Sequence, residues 1–266
     1  MRYEVVPLKN LDDETKHLPA GCVVSVTCSP TKGIFETIAI TNDLIDRGYR
    51  AIPHIAARLV VDRAQTRDLA AWMSDRSIPE IFVIAGDAET PAGCYEGAVP
   101  FLSDLLEEQH GLSHIGVTSY PDGHPAIDRR SLDSALQAKQ AMLAEAGIAG
   151  HATTQMCFDV ARIDSWLTGQ RDAGVTLPIH LGLPGVINRV KLMTMGSRLG
   201  IGASMRFVKK NSSAVGKLLT SSGYDPLELL RPLAPRIEEL GITGLHIFTF
   251  NNVESTAKWQ SGVLGA

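Results

Sequence analysis

The sequence predicts an α/β fold, a single (β/α)8 barrel of the TIM type that spans residues 1–266 as one domain and has a shortened first crossover. Three observations lead there. Short apolar runs alternate with longer segments of helical period, as in repeated βα units on a parallel sheet. Eight such runs occur, rich in Val and Ile with little alternation, which suits strands covered on both faces. Polar residues gather just after these runs, at the carboxyl ends where a parallel barrel binds its ligands. Strand counting alone also permits a doubly wound sheet, but eight strands with seven connecting helical segments fit closure better.

The first strand is Tyr3 to Val6 and the second Val23 to Thr27. Asn10 to Pro19 separate them, so the helix there has two turns at most, against a usual crossover of about a dozen residues or more. A helix over Thr37 to Arg47 leads to the third strand, Ala51 to Pro53. Thr66 to Ser74 leads to Ile81–Ile84, and Val99 to Glu108 to Ile115–Ser119. The next helix, Ser131 to Ala146, carries Leu132, Ala135, Leu136, Met142 and Leu143 as an apolar stripe, with Gly147 as its stop. The sixth strand is Thr153 to Met156, followed by a helix over Val160–Asp172 and the seventh strand, Ile179 to Leu183. Gly200 to Ser213, with Arg206, Lys209, Lys210 and Asn211, is the least regular stretch, a solvated charged loop or an active-site loop. A helix over Pro226–Leu240 and a last strand over Leu245–Phe250 complete the pattern.

A net charge of -4 gives no basic footprint for nucleic acid or for an anionic membrane. No apolar run approaches the length a bilayer needs, and Met1-Arg2-Tyr3-Glu4 lacks the apolar region of a signal peptide. The expectation is a soluble, cytoplasmic protein. Cys22, Cys28, Cys94 and Cys157 form no C-x-x-C pair, which argues against a zinc site or a disulfide framework and for most of them being buried small hydrophobes.

The polar residues at strand ends are Glu4, Thr27, His54, Gly86-Asp87, the run Tyr120-Pro121-Asp122-Gly123-His124-Pro125, Thr154-Gln155, and Thr249 and Asn251. Each has a plain structural reading. His54 after a proline is a satisfied core histidine, Asp87 caps a helix or makes a turn, Tyr120 and His124 flank an exposed turn, and Gln155 bonds between strands. Glu4 is different, because its apolar strand leaves it the barrel interior, where a buried carboxyl with a raised pKa serves as a general acid. Glu4, His54, Asp87 and His124 have the composition of a metal site, but no H-x-H pair marks a barrel metallohydrolase, and no bound metal is expected. G-x-S-x-G, a P-loop and G-x-G-x-x-G after a strand are all absent.

Taken in order, these motifs resemble the methylenetetrahydrofolate reductase family. Tyr3-Glu4-Val5-Val6-Pro7 is similar to that family's first strand, Val24-Ser25-Val26-Thr27 to its second, Pro53-His54-Ile55 to its third and Gly86-Asp87 to the end of its fourth. Tyr120 to Pro125 resembles its Tyr-Pro-x-x-His-Pro, Thr154-Gln155-Met156-Cys157-Phe158-Asp159 its Thr-Gln-x-x-Phe-Asp, and Leu245 to Asn251 its last strand. The resemblance implies FAD as cofactor, NADH or NADPH as hydride donor, a folate-bound one-carbon unit as substrate, and a homo-oligomer. It implies that Glu4 protonates N10 of the folate, that Asp87 lies near both folate and flavin, and that Gln155 bonds the pterin. Thr27, His54, Gly86, Asp87, Tyr120 and His124 would hold FAD, Phe248 would lie near the stacked rings, and Lys139 would meet a phosphate.

Two departures keep other readings open. Ala85 stands where the family has Arg, and the helix Ser131–Ala146 offers only Lys139 as a base, with Arg129 and Arg130 just before it. The alternatives are a folate flavoprotein that oxidises methyltetrahydrofolate or takes electrons from a protein partner, and a folate-binding barrel without flavin.

Overall fold

The computed structural model describes residues 1–188, 192, 219–220 and 223–265. Its strands are β1 (Arg2–Val5), β2 (Val23–Val26), β3 (Arg50–Ala56), β4 (Glu80–Ile84), β5 (His114–Ser119), β6 (Ala149–Thr154), β7 (Ile179–Pro184), β8 (Leu219–Thr220), β9 (Gly223–Tyr224) and β10 (Ile242–Phe248). β8 and β9 form a small antiparallel ribbon. The other eight are parallel and close into a barrel in the order β1-β10-β7-β6-β5-β4-β3-β2. Helices α1 (Leu11–Thr15), α2 (Gly33–Asp46), α3 (Arg63–Asp75), α4 (Ala98–Leu106), α5 (Arg129–Glu145), α6 (Val160–Asp172), α7 (Leu227–Leu233) and α8 (Val253–Leu264) alternate with them. The (β/α)8 barrel and its five-residue first helix are therefore as the sequence predicts.

Element boundaries differ where tertiary pairing outweighs propensity. β6 starts at Ala149 and stops at Thr154, because Ala149 and Gly150, poor strand formers, pair with His114 and Ile115 of β5. β10 ends at Phe248 because Phe250 and Asn251 turn the chain with φ of 51° each. The helix expected over Pro226–Leu240 stops at Leu233 and tightens into a 3-10 turn over Ala234–Arg236, since Pro235 brings no N–H to continue the ladder. α8 was not expected; it buries little beyond Val253 and Thr256, too faint a stripe to read. Gly200 to Ser213 lies outside the described residues.

The apolar core is the layer between strands and helices. Ile55, Val83, Val117, Leu181 and Ile247 pack there with helical residues such as Leu69, Phe101, Leu136 and Ile163. Three helices are started by an aspartate whose carboxylate accepts a backbone N–H of the first turn: Asp62, Asp128 and Asp159.

The barrel interior is filled by rings rather than by the branched aliphatics usual in this architecture. Phe82 lies 4.7 Å from the His54 ring and 5.9 Å from that of His246, and His151 stacks 4.0 Å from His180. Glycines on neighbouring strands make the space: a Cβ on Gly116 would sit 2.4 Å from His151 and 2.6 Å from Phe82, and one on Gly244 would sit 2.7 Å from His180.

At the amino-terminal mouth, Arg2 donates to Glu80 at 2.6 Å and to His151 Nε2 at 3.2 Å. A guanidinium only donates, so His151 accepts through Nε2 and donates through Nδ1 to His114 Nε2, 2.7 Å away. Burial, reinforced by the Arg2 charge, holds His151 far below the usual imidazole range, so these rings are neutral around one fixed cation.

Candidate active site

A cavity of about 280 Å³ opens at the carboxyl ends of the strands, near the low end of small-molecule pockets, roughly 300–1,000 Å³. Of the predicted site residues, Glu4, Thr27, His54, Gly86, Asp87, Tyr120, Gln155 and Phe248 line it. Phe82, Ile84 and Phe250 form an apolar wall, and Thr27 and Thr153, also in the lining, each have a buried hydroxyl with no hydrogen-bond partner. Apolar walls with polar groups awaiting partners suit a flat ring system with a polar edge.

Glu4 is 8% exposed and is held by both its main chain and its carboxylate. The Thr249 hydroxyl donates to the Glu4 carbonyl. The Asn251 amide reads the backbone two residues on, accepting from Val6 N and donating to Val6 O, both at 2.8 Å. The left-handed conformations of Phe250 and Asn251 carry a strain of about 1–3 kcal/mol each, which this clamp between β10 and β1 offsets. Glu4 Oε2 lies 2.8 Å from His246 Nε2 and 3.8 Å from His54 Nε2. His54 in turn bonds Ser25 Oγ at 2.8 Å. Burial, with His246 beside it, holds His54 well below the usual imidazole range, so it is neutral.

Across the cavity, Gly86 has a φ of 93°, where an added Cβ would also press on Ala56 Cβ at 3.0 Å; glycine serves there and sets the direction of Asp87. Burial pushes the Tyr120 phenol above its ordinary range, with the Asp87 charge adding to it, so Tyr120 is a hydroxyl donor. His124 packs edge-on against Tyr120, ring centres 5.5 Å apart. Partial burial lowers its pKa while Asp87 opposes the shift, yet the side chain is outside the cavity lining. Gln155 uses Oε1 to accept from Met156 N at 2.8 Å, which leaves its NH2 to donate.

Lys139 also stands outside the cavity. It is 4% exposed, behind the barrel wall, and donates to the Thr118 carbonyl at 3.2 Å. Burial lowers its pKa to about 8. No Lys or Arg lines the cavity among the described residues, and Arg129 is committed to the carbonyls of Tyr120 and Pro121.

His246 and Ser25 were not singled out from the sequence. The signal was available in part: β2 and β10 flank β1 in the closed barrel, the register sets Ser25 and Phe248 beside Glu4, and His246, two residues before Phe248, shares its face. Among the described residues, two groups have donors close enough to share a metal ion, Glu4–His54–His246 and Glu80–His114–His151. The first replaces the set suggested by composition, since Asp87 and His124 are not in it, and the second is centred on the Arg2 guanidinium.

A family model described as methylenetetrahydrofolate reductase matches residues 17–261, nearly the whole chain, and the chain belongs to that family. Glu4 precedes the matched residues, so its place in the site rests on the geometry above. Among solved structures, the chain is similar to the chitinase RmChi1 from Rhizomucor miehei, at 10% identity and a TM-score of 0.43, over 97% of this chain and 99% of that one. It is also similar to a GH20 β-N-acetylhexosaminidase from Streptomyces coelicolor A3(2), at 9% identity and a TM-score of 0.35, over 68% of this chain and 47% of that one. The chain thus spans about half the length of the latter.

Proposed function

We propose that this member of the methylenetetrahydrofolate reductase family reduces 5,10-methylenetetrahydrofolate to 5-methyltetrahydrofolate with NADH or NADPH, the two substrates taking turns at the cavity with FAD as intermediary. The observation that carries the reading is a buried carboxyl, Glu4, bonded to His246 and facing Asp87's loop across a cavity with an apolar wall.

The chemistry asks little else of the chain. The methylene carbon accepts a hydride readily only as an iminium, and opening the five-membered ring to form it requires a proton on N10. Glu4 is the group to give that proton, and His246 fixes which carboxyl oxygen faces the cavity. A neutral His54 adds no positive charge against the nascent cation. Asp87 contributes a carboxylate to the same space, and the Gln155 NH2 a donor for a pterin acceptor. FAD, when bound, would supply two-electron hydride chemistry. Thr27, Thr153, His54, Gly86 and Tyr120 would hold its ring system, the orphaned hydroxyls of Thr27 and Thr153 being the fit that argues for it.

A second reading is favoured by one observation. With Lys139 buried and Arg129 committed, the described cavity gives a diphosphate no cation, which supports a folate-binding barrel that works without flavin. Glu4→Gln tests the main reading: reduction of bound flavin by NADH should persist while folate reduction falls by about 10²–10⁴, the usual worth of a positioned acid. Folate turnover near the wild-type rate would remove Glu4 from the mechanism.

A further inference from the structure

The segment that carries Asp87 runs from Ala85 to Gly97, between β4 and α4, without helix or strand. Such a stretch has no ladder to order it, so holding its backbone in one conformation has an entropic cost that other contacts must offset. It is nevertheless fastened along its length to one residue, Arg58, in the 3-10 turn after β3. The Arg58 backbone N–H donates to the Ala85 carbonyl at 2.9 Å, and its carbonyl accepts from Ala92 N at 2.8 Å. Its guanidinium then spreads over the loop: Nε donates to the Ala88 carbonyl at 2.8 Å, Nη2 to that of Glu89 at 2.7 Å, and Nη1 to that of Glu96 at 2.9 Å. Nη1 also meets the Glu96 carboxylate at 3.2 Å.

These bonds bracket the site residue. Ala85 is held on one side of Gly86-Asp87 and Ala88 on the other, so the direction of Asp87 follows from where Arg58 lies. A second close contact seats the same loop, since Cys94 N donates to the Val61 carbonyl at 2.9 Å and a Cβ on Gly93 would meet that oxygen at 1.8 Å. The planar fork of a guanidinium, with five donors, reaches three carbonyls at once; a lysine ammonium on a flexible stem does not reproduce that spread.

We propose that Arg58 is a positioning residue of the active site: it orders the 85–97 loop so that Asp87 faces the cavity, and it acts on the chemistry through Asp87. This rests on the reading of Asp87 as a functional carboxylate. Arg58 itself does not line the cavity.

The test compares Arg58→Ala, Arg58→Lys, Asp87→Asn and the double variant Arg58→Ala/Asp87→Asn. Amide hydrogen exchange is read over residues 86–97, 5-methyltetrahydrofolate binding by fluorescence without turnover, and folate reduction at saturating donor. Arg58→Ala should speed exchange across 86–97 at least tenfold while amides of β1 and β10 keep their protection. It should weaken folate binding and turnover about as much as Asp87→Asn, with no further loss in the double variant. Arg58→Lys, which keeps the charge and guards against a folding failure, should fall between. Unchanged exchange in both Arg58 variants, or losses that multiply in the double variant, would overturn the role of Arg58 and leave Asp87 standing. A silent Asp87→Asn would overturn the reading of Asp87, and the proposal with it.

Discussion

The Glu4 carboxylate has its geometry set by a single imidazole. His246 Nε2 is 2.8 Å away, and His246 is itself 1% exposed and packed 5.1 Å from the Phe248 ring. Replacing it with Phe should leave the barrel filled but free the carboxyl to rotate. Folate reduction is expected to drop on the order of 10²-fold, the scale of a misplacement of about 1 Å, with flavin reduction by NADH unchanged; stopped-flow measurement of the two half-reactions separates these. Loss of both together would mean that His246 only holds the fold. At this scale the sequence was informative about Glu4, because the apolar neighbours Tyr3, Val5 and Val6 leave a charged residue little choice but the interior. The resemblance gave Lys139 a phosphate to meet, but its spacing from Leu136 and Leu143 puts it on the buried face of α5, a stripe the sequence already displays. The folded lysine's pKa of about 8 lies below its unfolded value, so between those two the unfolded chain holds the extra proton and stability rises with pH. Relative to Lys139→Met, wild type should therefore gain stability on the order of 3 kcal/mol from pH 7.5 to 10.5, measured by urea unfolding. A pH-independent difference would show that Lys139 is not desolvated.

At some positions of the barrel only glycine leaves room for the neighbouring strand or ring. Gly182 on β7 lies where a Cβ would meet the Thr154 carbonyl of β6 at 1.9 Å and the Phe248 ring at 2.8 Å. Gly116 on β5 faces His151 and Phe82 just as closely. Gly116→Ala is expected to cost about 1–3 kcal/mol, the range of overpacking a filled core, visible as a lower urea midpoint at unchanged m-value. A neutral outcome would mean that the rings have room to move. The alternation of elements was legible because a short, continuously buried run survives in β3 and a period-3.6 stripe in α5, whereas the ends of β6 and β10 were not. Ala149 and Gly150 become strand through pairing with β5, and the turn at Phe250 and Asn251 is imposed by the clamp on Val6. Neither cause is local, so neither leaves a local signal. α7 stops short for a cause that is local, Pro235, and its end was readable in principle.

Across the whole molecule, the interior of imidazoles makes stability a function of pH. Burial lowers the pKa of His54, His114 and His151, and that of His180 to about 3. Each such group binds its proton in the unfolded chain at about pH 6.5 but not in the folded one, so stability is present above that value and lost as pH falls through it. The loss between pH 6.5 and 5 should exceed that of a single histidine severalfold, by denaturant unfolding across that range, and a slope of one proton or fewer would contradict a neutral ring-filled barrel. Closure of the barrel also explains why the site assembles from both ends of the chain, with β1 and β10 neighbours although residues 4 and 246 are far apart in sequence. In the proposed function this cavity passes a hydride from a nicotinamide to a folate by way of flavin. An anaerobic visible spectrum of the protein reconstituted with FAD tests it most directly, followed through addition of NADH and then of methylenetetrahydrofolate. Bleaching of the flavin band by NADH and its recovery on adding the folate are the predicted results; a protein that retains no flavin, or a bleached band that the folate does not restore, would contradict it.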